Sequence, residues 1–117
     1  MDDSRIVVIN GVSLNNNWFD MDFRERYLNA ADKYAKAIDE CKNNLPDDCT
    51  PEEEMAFYKE CCESTFALFD EAFGEGTAEK IFEGRHDFKD CLDAVSALAT
   101  SRTTQNDEIE AMFGNKQ

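Results

Sequence analysis

Apolar residues follow two rhythms along this chain, a period of two near the start and a period near 3.6 from about residue 20 onward. Residues 5–14 read Arg-Ile-Val-Val-Ile-Asn-Gly-Val-Ser-Leu. β-Branched residues flank Asn10-Gly11, a pair suited to a type I′ turn because both central positions need positive φ. A β-hairpin over 5–14 is therefore predicted. A lone hairpin is marginal in water. It must pack on helices or pair its free edge, and a second copy of the chain is a candidate partner for that edge.

The helical rhythm begins after Asn15–Asp22, with Asp20 or Asp22 available as a cap. Phe23, Tyr27, Ala30, Tyr34, Ala37, Ile38 and Cys41 share one face of a helix of about six turns. A loop with Pro46 follows. Thr50-Pro51-Glu52-Glu53 is a strong helix start: Thr50 caps, Pro51 fits the first turn, and Glu53 completes a capping box.

The second helix carries a wide apolar arc. Met55, Tyr58, Cys62, Phe66, Phe69 and Phe73 form one stripe; Phe57, Cys61, Leu68 and Ala72 form another beside it. A helix with one neighbour needs a narrower stripe. This helix is either central or partly reserved for a partner. Gly74 suits a left-handed cap. Thr77 is then expected to cap a short helix, Ala78 to Phe82, that Gly84 ends. Asp87 caps a third long helix with the stripe Phe88, Cys91, Leu92, Val95, Leu98 and Ala99. From Thr100 to Asp107 the sequence turns polar, and apolar residues resume at Ile109, Met112 and Phe113. The helix either continues, solvated, or frays near Thr103-Thr104, and residues 100–117 are a candidate mobile tail. The predicted fold is mostly α (α+β) in a single domain, 1–117. An N-terminal β-hairpin is followed by three long helices and one short helix, the helical part covering 20–113.

Composition fits one small domain: 117 residues, 42% hydrophobic and 32% charged. The net charge of −14 changes the picture more. It repels phosphate backbones and anionic membranes, so neither nucleic acid nor membrane is expected as a partner. A basic protein suits it. No apolar run reaches membrane-spanning length. The start, Met1-Asp2-Asp3-Ser4-Arg5, lacks a signal-peptide pattern. The five cysteines are an odd number, and reduced thiols in a cytosolic protein are expected.

Candidate chemistry is sparse. His86 is the single histidine. Glu83-Gly84-Arg85-His86 spells one Glu-x-x-His, whereas di-iron bundles need two. Zinc sites usually draw on spaced Cys pairs, but Cys61 and Cys62 are adjacent and read as small packing residues. A calcium loop starting at Asp70 has Glu75 where Gly is required and Ile81 where Glu is required. Phe73-Gly74-Glu75-Gly76 lacks the Lys of a phosphate-binding loop. Nothing local supports a Cys–His nucleophile. The expectation is a non-enzymatic protein with no cofactor and no metal, acting by binding protein. The candidate contact residues are Phe57 and Leu68 on the second helix, and Ile109, Met112 and Phe113 beyond the polar stretch.

The element order, together with Phe66-Ala67-Leu68-Phe69-Asp70-Glu71-Ala72-Phe73-Gly74-Glu75-Gly76-Thr77-Ala78-Glu79-Lys80-Ile81-Phe82 and then Cys91-Leu92-Asp93-Ala94, resembles a known group. These are small proteins encoded among the tail genes of siphophages and prophages of Gram-positive bacteria, similar to tail assembly chaperones. The resemblance implies binding of the tape measure protein, and of other tail proteins, in the bacterial host cytoplasm, with no place in the mature virion. The alternative is an acidic decoy that mimics DNA, or another phage-encoded adaptor or inhibitor. A decoy needs carboxylates spaced like phosphates, and here Lys33, Lys36, Lys42, Lys59, Lys80 and Lys89 interrupt them.

Overall fold

A computed structural model describes residues 3–114. The hairpin forms from β1 (Ile6–Ile9) and β2 (Val12–Asn15), antiparallel, with Val7 opposite Leu14 and Ile9 opposite Val12. Asn10 and Gly11 have φ of 50° and 80°, the paired positive values that a type I′ turn demands. Alternation places Val7, Ile9 and Leu14 in the core, with Ile6 and Val8 outside. The turn is tied down by the Asn10 amide, which donates to the Ile81 carbonyl at 3.1 Å and to Asp90.

Four helices follow: α1 (Met21–Asn44), α2 (Pro51–Phe73), α3 (Thr77–Phe82) and α4 (Phe88–Met112). Asp20 caps α1 by accepting from the amides of Asp22 and Phe23. The capping box of α2 is complete: Thr50 Oγ1 accepts from Glu53 N at 3.1 Å, and Glu53 Oε1 accepts from Thr50 N at 2.8 Å. Asp87 caps α4 through the Asp90 amide. The corner between α2 and α3 departs from expectation. Gly74 lies at φ 116° and ψ 145°, in the mirror-extended region, and Gly76 takes the left-handed position. Thr77 opens α3 as a helical residue rather than capping it, and its hydroxyl donates to the Gly74 carbonyl at 2.6 Å. Asp70 supplies the missing acceptor, taking the Ala78 amide at 2.9 Å.

The core gathers where the hairpin, the start of α1, the end of α2, α3 and α4 meet. Phe69, Phe82, Ile81 and Leu98 are its largest fully buried apolar side chains. Aromatic rings pack at its flanks, Phe23 against Phe73 at 5.5 Å and Phe66 against Phe82 at 5.1 Å. In α4 the buried positions are Cys91, Ala94, Leu98 and Gln105; Leu92, expected inside, is exposed. The molecule is long, 53 × 33 × 22 Å, because α1 and α2 outrun the core. No residue of α1 beyond Ala30, and none of α2 before Cys61, is fully buried. The far halves of α1 and α2 form a two-helix arm.

Of the two courses expected for the polar stretch in α4, the helix takes the first: it is continuous through Thr100–Asp107 to Met112, with Thr100, Thr103, Thr104 and Asp107 exposed and Gln105 buried, while residues 115–117 of the candidate tail lie outside the described residues. Its polar groups hold the chain that enters and leaves the hairpin. Gln105, wholly buried, accepts from the Trp18 amide at 2.7 Å and donates to the Asn16 carbonyl at 2.7 Å. Ser101 Oγ donates to the Ser4 carbonyl at 2.7 Å, and Asn16 Nδ2 donates to the Leu98 carbonyl at 3.3 Å. Arg102 lies over both Trp18 and Tyr27, whose rings meet edge to face at 5.6 Å.

Gln105→Leu keeps the volume but strands two buried backbone groups. It should cost about 2–4 kcal/mol in urea unfolding, whereas Thr104→Ala on the exposed side should change stability by less than about 0.5 kcal/mol. Equal effects of the two substitutions would show that the Gln105 contacts are not structural.

Candidate functional site

The residues expected to meet a partner do not form one strip. Leu68 is 2% exposed and packs in the core, so it is withdrawn as a contact residue. Its stripe on α2 faces inward because α1 and α4 flank it, which makes the second half of α2 central. Ile109 is half-buried and packs against the core. Met112 and Phe113 are exposed, 69% and 72%, at the end of α4. Phe57 is half-buried and sits at the opposite end. Its ring meets Tyr58 at 5.2 Å, and Tyr58 meets Phe88 at the start of α4 at 4.7 Å. Nearly the length of α4, roughly 37 Å of helix, therefore separates Phe57 from Phe113. Met55 and Tyr58, read as part of the α2 stripe, are exposed on the arm.

The arm carries a concavity. A groove of about 500 Å³ runs between the second half of α1 and the first two thirds of α2. Its apolar lining includes Ala37, Cys41 and Leu45 on one side and Ala56, Phe57 and Ala67 on the other. These positions follow helical spacing on each helix, so one face of each is presented. That face of α2 lies away from the one bearing Phe69, which packs on Phe82 of α3 at 5.6 Å. Four carboxylates line the groove: Glu40, Glu53, Glu60 and Glu63. Among the described residues no lysine or arginine does. Glu53 is engaged in the capping box, Glu60 accepts from the Cys41 thiol at 3.6 Å, and Glu63 lies 3.2 Å from His86 Nε2. Among the described residues none of the four forms an ion pair with a lysine or arginine, although Lys33, Lys36 and Lys89 pair with other carboxylates. Composition alone does not signal this site. The i, i+3, i+4 run Ala37, Glu40, Cys41 and Asn44 does hold the pattern, but a helix that ends in mixed small residues and acids also reads as an ordinary solvated end.

A second concavity, of about 340 Å³, lies beside β2 and the α2–α3 corner. Arg26 lines it, but its guanidinium is committed to the Ala72 carbonyl at 3.0 Å and to the face of Phe23.

Reactive groups are dispersed. His86 faces Glu63 and the Phe66 ring. All five cysteines are free, with Cys61, Cys62 and Cys91 buried. Among the described residues no group of three or more His, Cys, Asp or Glu is placed to hold a metal ion, and no helix is long and apolar enough to cross a membrane. Burial, and after it Cys62, pushes the Cys91 thiol up to about 12 from an ordinary 9. Burial likewise raises Cys61, Cys62 and Cys41. Such thiols stay protonated at neutral pH and make poor nucleophiles.

With this geometry in place, the family model that matches residues 10–116 is decisive. The chain belongs to a family of unknown function, DUF6673. No curated protein and no solved structure matches it. The matched span takes in the whole helical part, core and arm alike.

Two outcomes follow from burial. Leu68→Ala should cost about 2–5 kcal/mol in denaturant unfolding, and Phe113→Ala less than about 0.5 kcal/mol; the reverse order would place the core elsewhere. The raised thiols set the alkaline limit. Between pH 9 and about 12 the unfolded chain releases the Cys91 proton while the folded chain keeps it, so stability falls as pH rises. The slope for that one group is at most ~1.4 kcal/mol per pH unit. Urea midpoints measured across this window should decline less steeply for Cys91→Ala than for the parent chain. Parallel declines would assign the loss to other groups.

Proposed function

We propose that this protein acts by binding another protein, without catalysis, and that the arm formed by α1 and α2 is where it does so. The observation that carries this reading is the groove: an apolar floor walled by four glutamates, lying between the far halves of two helices. A folded chain gains by covering apolar surface, and contiguous exposed apolar surface rimmed by polar groups marks interaction sites. The net charge of −14 keeps such a surface soluble and selects against anionic partners.

The client follows from the resemblance of Phe66–Phe82 to the tail-region proteins of siphophages and prophages. On that reading the protein is a tail assembly chaperone that holds the tape measure protein until the tail tube forms around it. An elongated acidic molecule with an apolar groove suits a long, aggregation-prone helical client.

Co-expression with the tape measure protein encoded nearest to it tests this. The tape measure should remain soluble and co-purify, and Phe57→Glu should reduce the amount recovered by about tenfold. If a folded sample neither binds nor solubilises it, the tail-assembly reading fails, and the acidic decoy that mimics DNA becomes the reading to pursue.

A further inference from the structure

We infer that the α1–α2 groove takes a basic amphipathic helix, laid along the arm as a third helix. This inference rests on the proposal that the arm binds protein, and it names the chemistry of the occupant.

Three observations converge on that occupant. The first is shape. Ala37 and Cys41 on α1, and Ala56, Phe57 and Ala67 on α2, present two neighbouring helical stripes with an open channel between them. From Glu53 to Ala67 the α2 wall is about 21 Å long, enough for roughly four turns of a docked helix. Helices pack by setting ridges into such channels, with axes 8–10 Å apart when contact residues are small. An extended strand would need free backbone donors and acceptors along the site. The walls here are two helices whose backbone groups are already used internally, so side chains alone meet the guest.

The second is floor chemistry. Phe57, Leu45 and Cys41 give apolar contact, while Ala37, Ala56 and Ala67 leave room for the guest's larger side chains. A guest with leucine-like residues at i, i+3, i+4 and i+7 matches that floor.

The third is charge. Glu40, Glu53, Glu60 and Glu63 border the channel from both helices, and among the described residues no lysine or arginine does. Among the described residues no lysine pairs with them: Lys36 pairs with Asp32 at 3.0 Å and Lys33 with Glu71 at 3.3 Å. Among the described residues His86, beside Glu63, is the one basic side chain paired with any of the four. A guest with lysines or arginines flanking its apolar face would neutralise the rim; an acidic or neutral guest would leave it uncompensated. Electrostatic matching of this kind governs encounter rate and partner choice more than final affinity.

The probe is a capped peptide of about 18 residues, roughly 27 Å as a helix, with leucines at i, i+3, i+4 and i+7 and lysines elsewhere. Its controls are the same composition reordered to abolish the leucine face, and the version with glutamates in place of lysines. Binding is read by fluorescence anisotropy at about 0.15 M salt, where long-range attraction is screened. The basic amphipathic peptide should bind the full chain about tenfold more tightly than either control. Ala56→Trp, which fills the channel, and Glu40→Lys with Glu60→Lys, which reverse the rim without touching the Thr50–Glu53 capping box, should each weaken it by about tenfold. Ala56, Glu40 and Glu60 are exposed, so the variants keep the core, and unchanged thermal midpoints check this. Glu79→Lys, exposed on α3, should leave binding within about twofold. Equal binding of the reordered peptide, or undiminished binding by Ala56→Trp, overturns the inference, since charge alone then explains the attraction. The two proposals fail separately. A tape measure protein that co-purifies equally with the parent chain and the groove variants keeps the chaperone reading and removes the groove. Peptide binding with the expected variant pattern, in the absence of tape measure binding, keeps the groove and removes that client.

Discussion

The Trp18 amide and the Asn16 carbonyl are buried with no backbone partner, and one side chain, Gln105, serves both at 2.7 Å. Everything at the N-terminal end depends on this contact. A four-residue-per-strand hairpin lacks the area to stand alone, and the chain leaving it must turn at once into α1. That turn removes peptide groups from water, which is costly unless each finds a partner. α4 supplies the partners from successive turns of one face. Leu98 offers its carbonyl, Ser101 its hydroxyl and Gln105 its amide. With the linker fixed, Trp18 is held for Arg102 and Tyr27 to pack around it, and Asp20 stands where it caps α1.

From that clamp the architecture divides in two. At one end, five elements share a core and each helix is covered on its apolar side. At the other, α1 and α2 continue past everything that covers them, because the hairpin and α3 are short and α4 runs out beside Tyr58. The arm is stabilised by the mutual contact of its two helices and by the Thr50–Glu53 capping box near its tip. It buries little: no α1 residue beyond Ala30 and no α2 residue before Cys61 is fully buried. The wide apolar arc of α2 therefore has two explanations that apply to different halves of one helix: it is central from Cys61 onward and open before it.

How far this was legible in the sequence depended on the range of the interaction. Asn10-Gly11, Thr50-x-x-Glu53 and Asp87 act within four residues of themselves, so the hairpin and helix starts could be placed from local chemistry. The fold class followed from periodicity. The role of the polar stretch of α4 was left open because its partners lie far away in sequence; 87 residues separate Gln105 from Trp18. A signal was present. Cys91, Leu98 and Gln105 are spaced by seven, so Gln105 continues the buried seam of α4 rather than interrupting it. A glutamine in phase with a core seam is a candidate for holding backbone. Leu68 failed for the opposite reason: its edge position on the α2 stripe is real, but which edge receives a neighbour is a tertiary fact. Phe57, three turns earlier on the same stripe, meets no such neighbour and lines the groove.

This division bears on what the resemblance can carry. Its most specific segment runs from Phe69 to Phe82, and there Phe69, Ala72, Ala78, Ile81 and Phe82 are buried, while Asp70 and Gly76 shape the α2–α3 corner. These residues are constrained by packing and by backbone geometry, so a likeness through them would speak to a corner of the fold and not to a client. On the binding role proposed above, selectivity would rest elsewhere, on side chains free to change without unfolding the protein. Those are the exposed walls of the arm, where substituting one acid or one alanine leaves the clamp at Gln105 and the core at Phe69 and Phe82 intact. A protein built this way can keep one body while the walls of the groove change.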